Sequence, residues 1–571
     1  MIKTMMSKSE SVVAAEEPLS ANPLPSQLGT GQSRSDFALS SLLLVIVLAV
    51  ASTVMVLSIR RSGDFALDDE ARHAMTGVYF ADLLSDLPLS HPIQYTYVYY
   101  ARYPALGLIH WPPLFPFVEG LAFRALGPSI VIARLTVLVF VTWGLIFWFL
   151  LVRELLSPWA AAFATLILFF LPALFLYEQA VMLEVPSLAL CLSATYFWMR
   201  FLRTGHHRAL YAFAGMASLA MLTKQQCVYL LPFCLLTLLP NGKWRWLLTM
   251  RGAATLAFFG ITLAPFYILA IRTHLASIAD HVLQKRAWHI SSLTFYLRTL
   301  PQQMGWLVLA LSLAGIALSY WWSPRRDARL MLMWILACYL TFSFLNSKET
   351  RYFIYALPPF TYFACWPLTF AARSRRVRPL LWTICVALLL SYGHAAWAKR
   401  YPRLSGYSAA ADRIIKGSQG NEIVLFDGSG VDSGNLSFYL RLRDHERRIV
   451  LLTKGLYVTR ILAQFGAIEV VHNQEELEHL LAGYGIRQVV ISDNTRLLFP
   501  IQKSLRDLLL SSQFKLVATF PLVGDDNVHA SRQLLLYENQ RPMKPTEAYL
   551  RLRMMTLNHD IIVPLRELGI D

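Results

Sequence analysis

Apolar residues fall in long unbroken runs through the first 400 positions and in short, interrupted ones after that. The run at 37–59 is long enough to cross a bilayer and lacks a small-residue cleavage site, so it reads as a retained first helix. Further runs lie near 130–152, 158–178, 185–202, 209–223, 225–240, 252–271, 304–322, 330–346, 353–371 and 380–398. They predict a polytopic α-helical membrane protein with about 11–12 transmembrane helices. Beyond Lys399 the pattern changes. Short β-branched runs at 422–426, 448–452, 488–492, 515–520 and 533–537 read as strands, and helical periods at 475–481 and 502–510 lie between some of them. Residues 400–571 are therefore expected to form an α/β domain with a small, mostly parallel sheet.

Composition agrees with this division. Of 571 residues, 56% are hydrophobic and 15% charged, and the mean hydropathy is +0.44. A soluble domain carries roughly 25% charge, so a soluble enzyme, a disordered chain and a coiled coil are excluded. The net charge of +16 follows from basic cytoplasmic loops. No compact basic and aromatic surface of the kind that binds nucleic acid is present. Cys191, Cys227, Cys234, Cys338, Cys365 and Cys385 all sit in apolar segments without CxxC spacing, and read as buried thiols.

Three units follow: a disordered cytoplasmic tail at 1–36, a transmembrane domain at 37–399 with a first external loop at 60–104, and an external domain at 400–571. The tail is rich in Ser, Pro, Ala and Glu and has no apolar period. The short basic loops at 200–208, 243–251, 323–329 and 373–378 are assigned to the cytoplasm. An even number of spans separates them, which sends Glu184, Lys224, the 348–352 loop and everything after 400 to the opposite face. For this to hold, the Pro-rich segment 105–127 must be re-entrant or interfacial.

Five features bear chemistry. Asp68-Asp69-Glu70-Ala71-Arg72-His73 follows the first helix, either as a solvated capping loop or as a carboxylate set able to deprotonate a hydroxyl. His110-Trp111-Pro112-Pro113-Leu114 is a helix start, or it makes His110 and Trp111 a wall facing sugar or phosphate. Glu184, in Met182-Leu183-Glu184-Val185-Pro186, is a helix cap or a functional carboxylate at membrane depth. Lys224 lies between two short apolar runs and either snorkels or meets an anionic headgroup. Ser347-Lys348-Glu349-Thr350-Arg351-Tyr352 puts Lys348 and Arg351 on the external side, where a phosphate is their natural partner. The Asp427-Gly428-Ser429-Gly430 turn reads as a tight turn or a phosphate-binding loop. Acids and bases from separate segments thus reach one membrane face, which suits displacement of a lipid-linked phosphate by a hydroxyl.

This order of features resembles the GT-C superfamily of polytopic glycosyltransferases, in particular the bacterial branch with protein O-mannosyltransferases and aminoarabinose transferases acting on lipid A. The residues carrying the resemblance are Asp69-Glu70, Trp111-Pro112-Pro113-Leu114, Glu184-Val185-Pro186, Leu222-Thr223-Lys224, and Lys348 with Arg351-Tyr352, across 37–400. The resemblance implies a polyprenyl-phosphate-linked sugar as donor and a hydroxyl acceptor on a lipid, glycan or protein. Transfer would be a single inverting displacement on the external face of the plasma (inner) membrane. Asp69 would be the general base with Glu70 beside it, although Asp68 could take that place. Glu184 would orient the acceptor or tune the base. Lys224, Lys348, Arg351 and Tyr352 would bind the donor phosphate. Trp111 stands where relatives often carry Lys or His, with His110 one residue earlier. No ligand spacing demands a metal, though the acidic residues admit a divalent ion. The rival readings are a transporter or lipid flippase with a charged path, which internal inverted repeats would favour, and a noncatalytic anchor for the external domain.

Overall fold

The computed structural model describes residues 34–239, 243–282, 289–322, 325–345, 348–371, 376–399, 401–459, 466–493, 496–524, 532–555, 557 and 559–570. Most of the expected tail, half of the 373–378 loop and Ser347 lie outside these. Helix α1 (Arg34–Arg61) takes in the last three residues of the expected tail.

Three shorter helices follow: α2 (Glu70–Asp86), α3 (Pro92–Arg102) and α4 (Leu114–Leu126). The thirteen residues of α4 rise only about 20 Å against a hydrocarbon core of about 30 Å. On its own α4 is therefore too short to cross. Instead α4 lies against α2, where Gly120 of α4 meets the backbone of Gly77. The chain then continues through α5 (Ile130–Leu155), α6 (Pro158–Phe169), α7 (Pro172–Gln179), α8 (Glu184–Thr204), α9 (His207–Met221), α10 (Leu230–Leu238), α11 (Met250–Val282), α12 (Ile290–Met304), α13 (Trp306–Trp322), α14 (Arg325–Ser343), α15 (Leu357–Ala371) and α16 (Arg378–Ala398).

Among the described residues, five helices are long and apolar enough to cross a membrane. The number reaches seven if the bent pairs α6–α7 (68°) and α12–α13 (117°) each count as one span. The larger number expected from sequence treats every apolar run as a span. In the structure several of these runs are helices of 9 to 15 residues, such as α9, α10 and α15. Pro172 opens α7 at the first break, where it supplies no amide to continue the α6 ladder. Buried on nearly every face, α8 packs between α5 and α9. A Cβ on Gly144 of α5 would stand 3.1 Å from Ala189 of α8, so glycine sets that close approach.

The C-terminal domain holds α17 (Tyr407–Gly417), α18 (Gly430–Arg443), α19 (Gln474–Gly483) and α20 (Pro500–Leu509). Its strands are β1 (Leu404–Ser405), β2 (Glu422–Asp427), β3 (Ile449–Leu452), β4 (Tyr457–Thr459), β5 (Ala467–Glu469), β6 (Gln488–Ser492), β7 (Phe514–Gly524), β8 (Arg532–Asn539), β9 (Tyr549–Leu552) and β10 (Ile561–Pro564). The main sheet runs β1-β7-β8-β6-β2-β3. Only β3-β2-β6 is parallel, whereas β8, β7 and β1 join antiparallel. The sheet is thus mixed rather than mostly parallel. Strands β2, β3 and β6 are buried almost throughout and carry the crossover helices, while β7 is largely exposed, with only Phe514 and Leu522 buried.

The boundary at residue 400 divides the chain but not the core. One buried cluster joins Met55, Phe65 and Ala71 to Tyr407, Val424 and Phe438. Helix α18 lies along α2, and a Cβ on Gly434 would stand 2.7 Å from the Ala71 side chain. Asn435 closes the joint: its Oδ1 accepts from the Phe65 amide at 3.0 Å and its Nδ2 donates to the Phe65 carbonyl at 2.8 Å.

Candidate active site

The site is assembled by a knot in the first loop. Glu70, fully buried, accepts from the backbone amides of Ala66 (3.1 Å), Leu67 (3.0 Å) and, across the molecule, Val181 (2.7 Å). The Tyr401 hydroxyl also donates to it. A buried carboxylate surrounded by amide donors is well satisfied. Here it ties the loop before α2 to the loop before α8, so that Asp69 at the start of α2 and Glu184 at the start of α8 come to one place.

Two cations complete the group. Arg351 donates from Nη1 to Asp69 Oδ2 at 3.1 Å, and its Nε lies 3.5 Å from Glu184 Oε1. Lys224 Nζ donates to Glu184 Oε1 at 2.5 Å. Asp69, Arg351, Glu184 and Lys224 therefore form one continuous network, although they lie up to 282 residues apart in the chain. Glu349 also pairs with Arg351. Glu184 and Lys224 are buried, whereas the Asp69 side chain is 16% exposed, which leaves it open to an incoming group. Glu184 Oε2 is buried and accepts no hydrogen bond. The Tyr352 ring lies 6.0 Å from Lys224 Nζ and 6.0 Å from the Arg351 guanidinium carbon, within reach of cation–π attraction.

The His110–Trp111 segment forms the adjoining wall. Gln225 Nε2, next to Lys224, donates to the His110 carbonyl at 2.6 Å, and the Leu114 amide donates to the Leu222 carbonyl at 2.9 Å. Ile109 has φ +67°, a left-handed conformation that a β-branched residue adopts only under strain. The Trp111 ring lies 4.6 Å from that of His73, one turn beyond Asp69.

Electrostatics separates Asp69 from His73. Burial raises the Asp69 carboxyl, but His73, Arg351 and Arg72 outweigh it and hold the group below the usual carboxylate range. His73 is buried, and burial pulls its imidazole down to about 4, so at neutral pH it is uncharged.

Two expected residues lie apart from the network. Lys348 donates to the carbonyls of Ser343 (2.5 Å) and Leu345 (3.0 Å) at the end of α14, a use of lysine that satisfies orphan helix carbonyls. Glu70 serves the loop knot instead of facing the cations. The Gly428–Gly430 turn is also occupied: Ser429 and Asp432 form a capping box that takes up the first amides of α18. Sequence reasoning gave no role to His73, Glu349 or Tyr401. The i, i+4 spacing of His73 from Asp69 was a readable signal for the first of these. Among the described residues, no three His, Cys, Asp or Glu side chains converge as a metal-binding group.

The family model described as dolichyl-phosphate-mannose-protein mannosyltransferase matches residues 110–269. No curated protein matches by sequence. Among solved structures, ArnT from Cupriavidus metallidurans bound to undecaprenyl phosphate is similar at 15% identity and TM-score 0.57, covering 86% of this chain and 97% of that one. The Archaeoglobus fulgidus oligosaccharyltransferase tethered with an acceptor peptide is 12% identical, with TM-score 0.51 and coverage of 79% and 68%. The arabinofuranosyltransferase AftD from Mycobacteria is 16% identical, with TM-score 0.51 and coverage of 88% of this chain and 40% of that one. All three likenesses are of fold.

Proposed function

We propose that this chain, a membrane protein with the GT-C fold, is a glycosyltransferase that moves a sugar from a polyprenyl-phosphate donor to a hydroxyl acceptor at the external face of the plasma (inner) membrane. The observation that carries this reading is the Asp69–Arg351–Glu184–Lys224 network, in which an accessible carboxylate stands beside two cations at the ends of apolar helices. The match to a mannosyltransferase model and the undecaprenyl phosphate in a structural neighbour support the donor class.

In this reading the acceptor hydroxyl gives its proton to Asp69 as its oxygen bonds to the anomeric carbon. The bond from that carbon to the phosphate oxygen breaks, and the polyprenyl phosphate leaves with the electron pair. A single displacement of this kind inverts the anomeric centre. Lys224 and Arg351 stabilise the charge gathering on the phosphate, and Tyr352 flanks both. Glu184 holds the two cations in place, Glu70 positions the base, and His110 and Trp111 line the sugar side. Lys348 shapes the end of α14.

The resting geometry adds an order to these events. With Arg351 on Asp69, the carboxylate is a weak base. A donor phosphate that draws Arg351 toward itself loosens that hold and raises the basicity of Asp69. The donor thus binds first and readies the base for the acceptor.

The test is mass analysis of membrane lipids and surface glycans from cells carrying the wild-type chain or Asp69→Asn. Loss of one sugar mass with the variant supports the reading. An unchanged glycan profile with well-inserted variant protein overturns it.

A further inference from the structure

A second charged cleft lies at the far end of α2, between the α4–α5 junction and α18. Its volume is about 1060 Å³, and it is lined by Arg124, Arg441, Arg443 and His445 against a single carboxylate, Asp82. That carboxylate is already taken, because Arg441 donates to it twice, at 2.6 and 2.7 Å. Arg124 is exposed and donates to Ser85. Arg443 is half exposed; it donates to Ser408 Oγ at 3.2 Å and lies a loose 3.8 Å from Asp412. The cleft therefore keeps a positive excess that its own acids do not cancel.

Its position is the second observation. One wall is the start of α5, whose span begins at Ile130, so the cleft opens where apolar helix gives way to polar loop. Val131 on that wall is 51% exposed and Leu126 beside it 70% exposed, an apolar rim facing outward under the arginines. A ligand that fits both parts has an anionic head and an apolar tail. On α2 the cleft is lined by Val78, Ala81, Asp82 and Ser85, which lie about 14 to 24 Å of helical rise beyond Asp69 and set it apart from the reaction centre.

We propose that this cleft seats the phosphate-bearing headgroup of an anionic membrane phospholipid, with its acyl chains along the start of α5. The lipid bridges the transmembrane helices and the external domain by contacting Arg124 on one side and Arg443 on the other.

The test uses the full chain in nanodiscs of phosphatidylglycerol or phosphatidylcholine, with bound lipid counted by native mass spectrometry after detergent exchange. Wild type retains phosphatidylglycerol and not phosphatidylcholine. Replacing both arginines, Arg124→Gln with Arg443→Gln, weakens retention about 25-fold, since each cation near a lipid surface is worth about a factor of five. The charge-keeping pair Arg124→Lys with Arg443→Lys retains the lipid. Should the glutamine pair fail to fold, Val131→Asp places a carboxylate on the rim and is expected to weaken retention as well. Equal retention by folded charge-removing variants overturns the proposal. So does displacement of the lipid by equimolar inorganic phosphate, which would mark a free-anion site.

Discussion

Helix α2 carries an acid–base cluster at each end, and the two are built differently. At its far end Asp82 accepts from Arg441 Nε (2.7 Å), Arg441 Nη2 (2.6 Å) and the Tyr99 hydroxyl (2.7 Å), while Asp86 accepts from Arg447 (2.5 Å) and Tyr95 (2.7 Å). Those carboxylates are saturated by short, well-directed bonds. At its near end Lys224 holds Glu184 Oε1 at 2.5 Å and Glu349 pairs with Arg351, but the Asp69–Arg351 contact is 3.1 Å, Arg351 reaches Glu184 only at 3.5 Å, and Glu184 Oε2 accepts nothing. Short, complete bonding belongs to a clamp, here between the first loop and the C-terminal domain. Incomplete bonding, as at Asp69 and Glu184 Oε2, leaves capacity for a substrate.

The same substitution at both ends puts this contrast to its hardest test. Asp69→Asn is expected to lower transfer by about 10²–10⁴-fold, the usual worth of a positioned general base, with little change in thermal midpoint. Asp82→Asn should lose about 1–3 kcal/mol of stability, since it weakens charge-assisted bonds to Arg441, while folded protein keeps transfer within about tenfold of wild type. Transfer assays on reconstituted protein, paired with thermal unfolding, measure both. If folded Asp82→Asn lost as much transfer as Asp69→Asn, the distinction between clamp and centre would collapse.

Lys224 sharpens the comparison from the basic side. Lys224→Met leaves Glu184 buried without its closest cation, at an expected cost of about 3–5 kcal/mol. Adding Glu184→Gln should recover most of that stability but none of the donor affinity. A double-mutant cycle with undecaprenyl phosphate titration reads the two effects separately. Recovery of donor affinity in the double variant would show that Lys224 serves only to neutralise Glu184.

The sequence carried the near end of α2 more clearly than the far end. Asp69, Glu184, Lys224 and Arg351 stand out because charges beside apolar runs are costly and therefore few. Asp82 and Asp86 fall in the same acidic loop, but their partners Arg441 and Arg447 lie some 360 residues on, in a segment without a readable motif. The contacts of Glu70 and Lys348 were illegible for a related reason. Residue type and neighbourhood placed them with the charged set, whereas their actual partners are backbone amides and carbonyls, which no side-chain pattern announces. The parallel core of β3, β2 and β6 was legible from unbroken apolar runs. The antiparallel return of β7 and β8 was not, because a short apolar strand reads alike in either direction.

The smallest expected effect concerns His73, whose neutrality is a property of the near end alone. In the folded chain its imidazole titrates at about 4, against about 6.5 when unfolded. Between these values the unfolded chain binds a proton that the folded chain does not. Stability therefore falls as pH is lowered from about 6.5 to 4, and this group adds no further slope below that. His73→Gln, which cannot take up the proton, should flatten that part of the profile when thermal midpoints are followed from pH 7 to 4. Transfer should show no limb from either His73 or Asp69 between pH 5 and 8, because Asp69 is already charged and His73 already neutral across that range. A transfer limb near pH 6.5 that vanished in His73→Gln would mean that this imidazole meets solvent in the working enzyme, and would move the boundary of the open end of α2 one turn further along the helix.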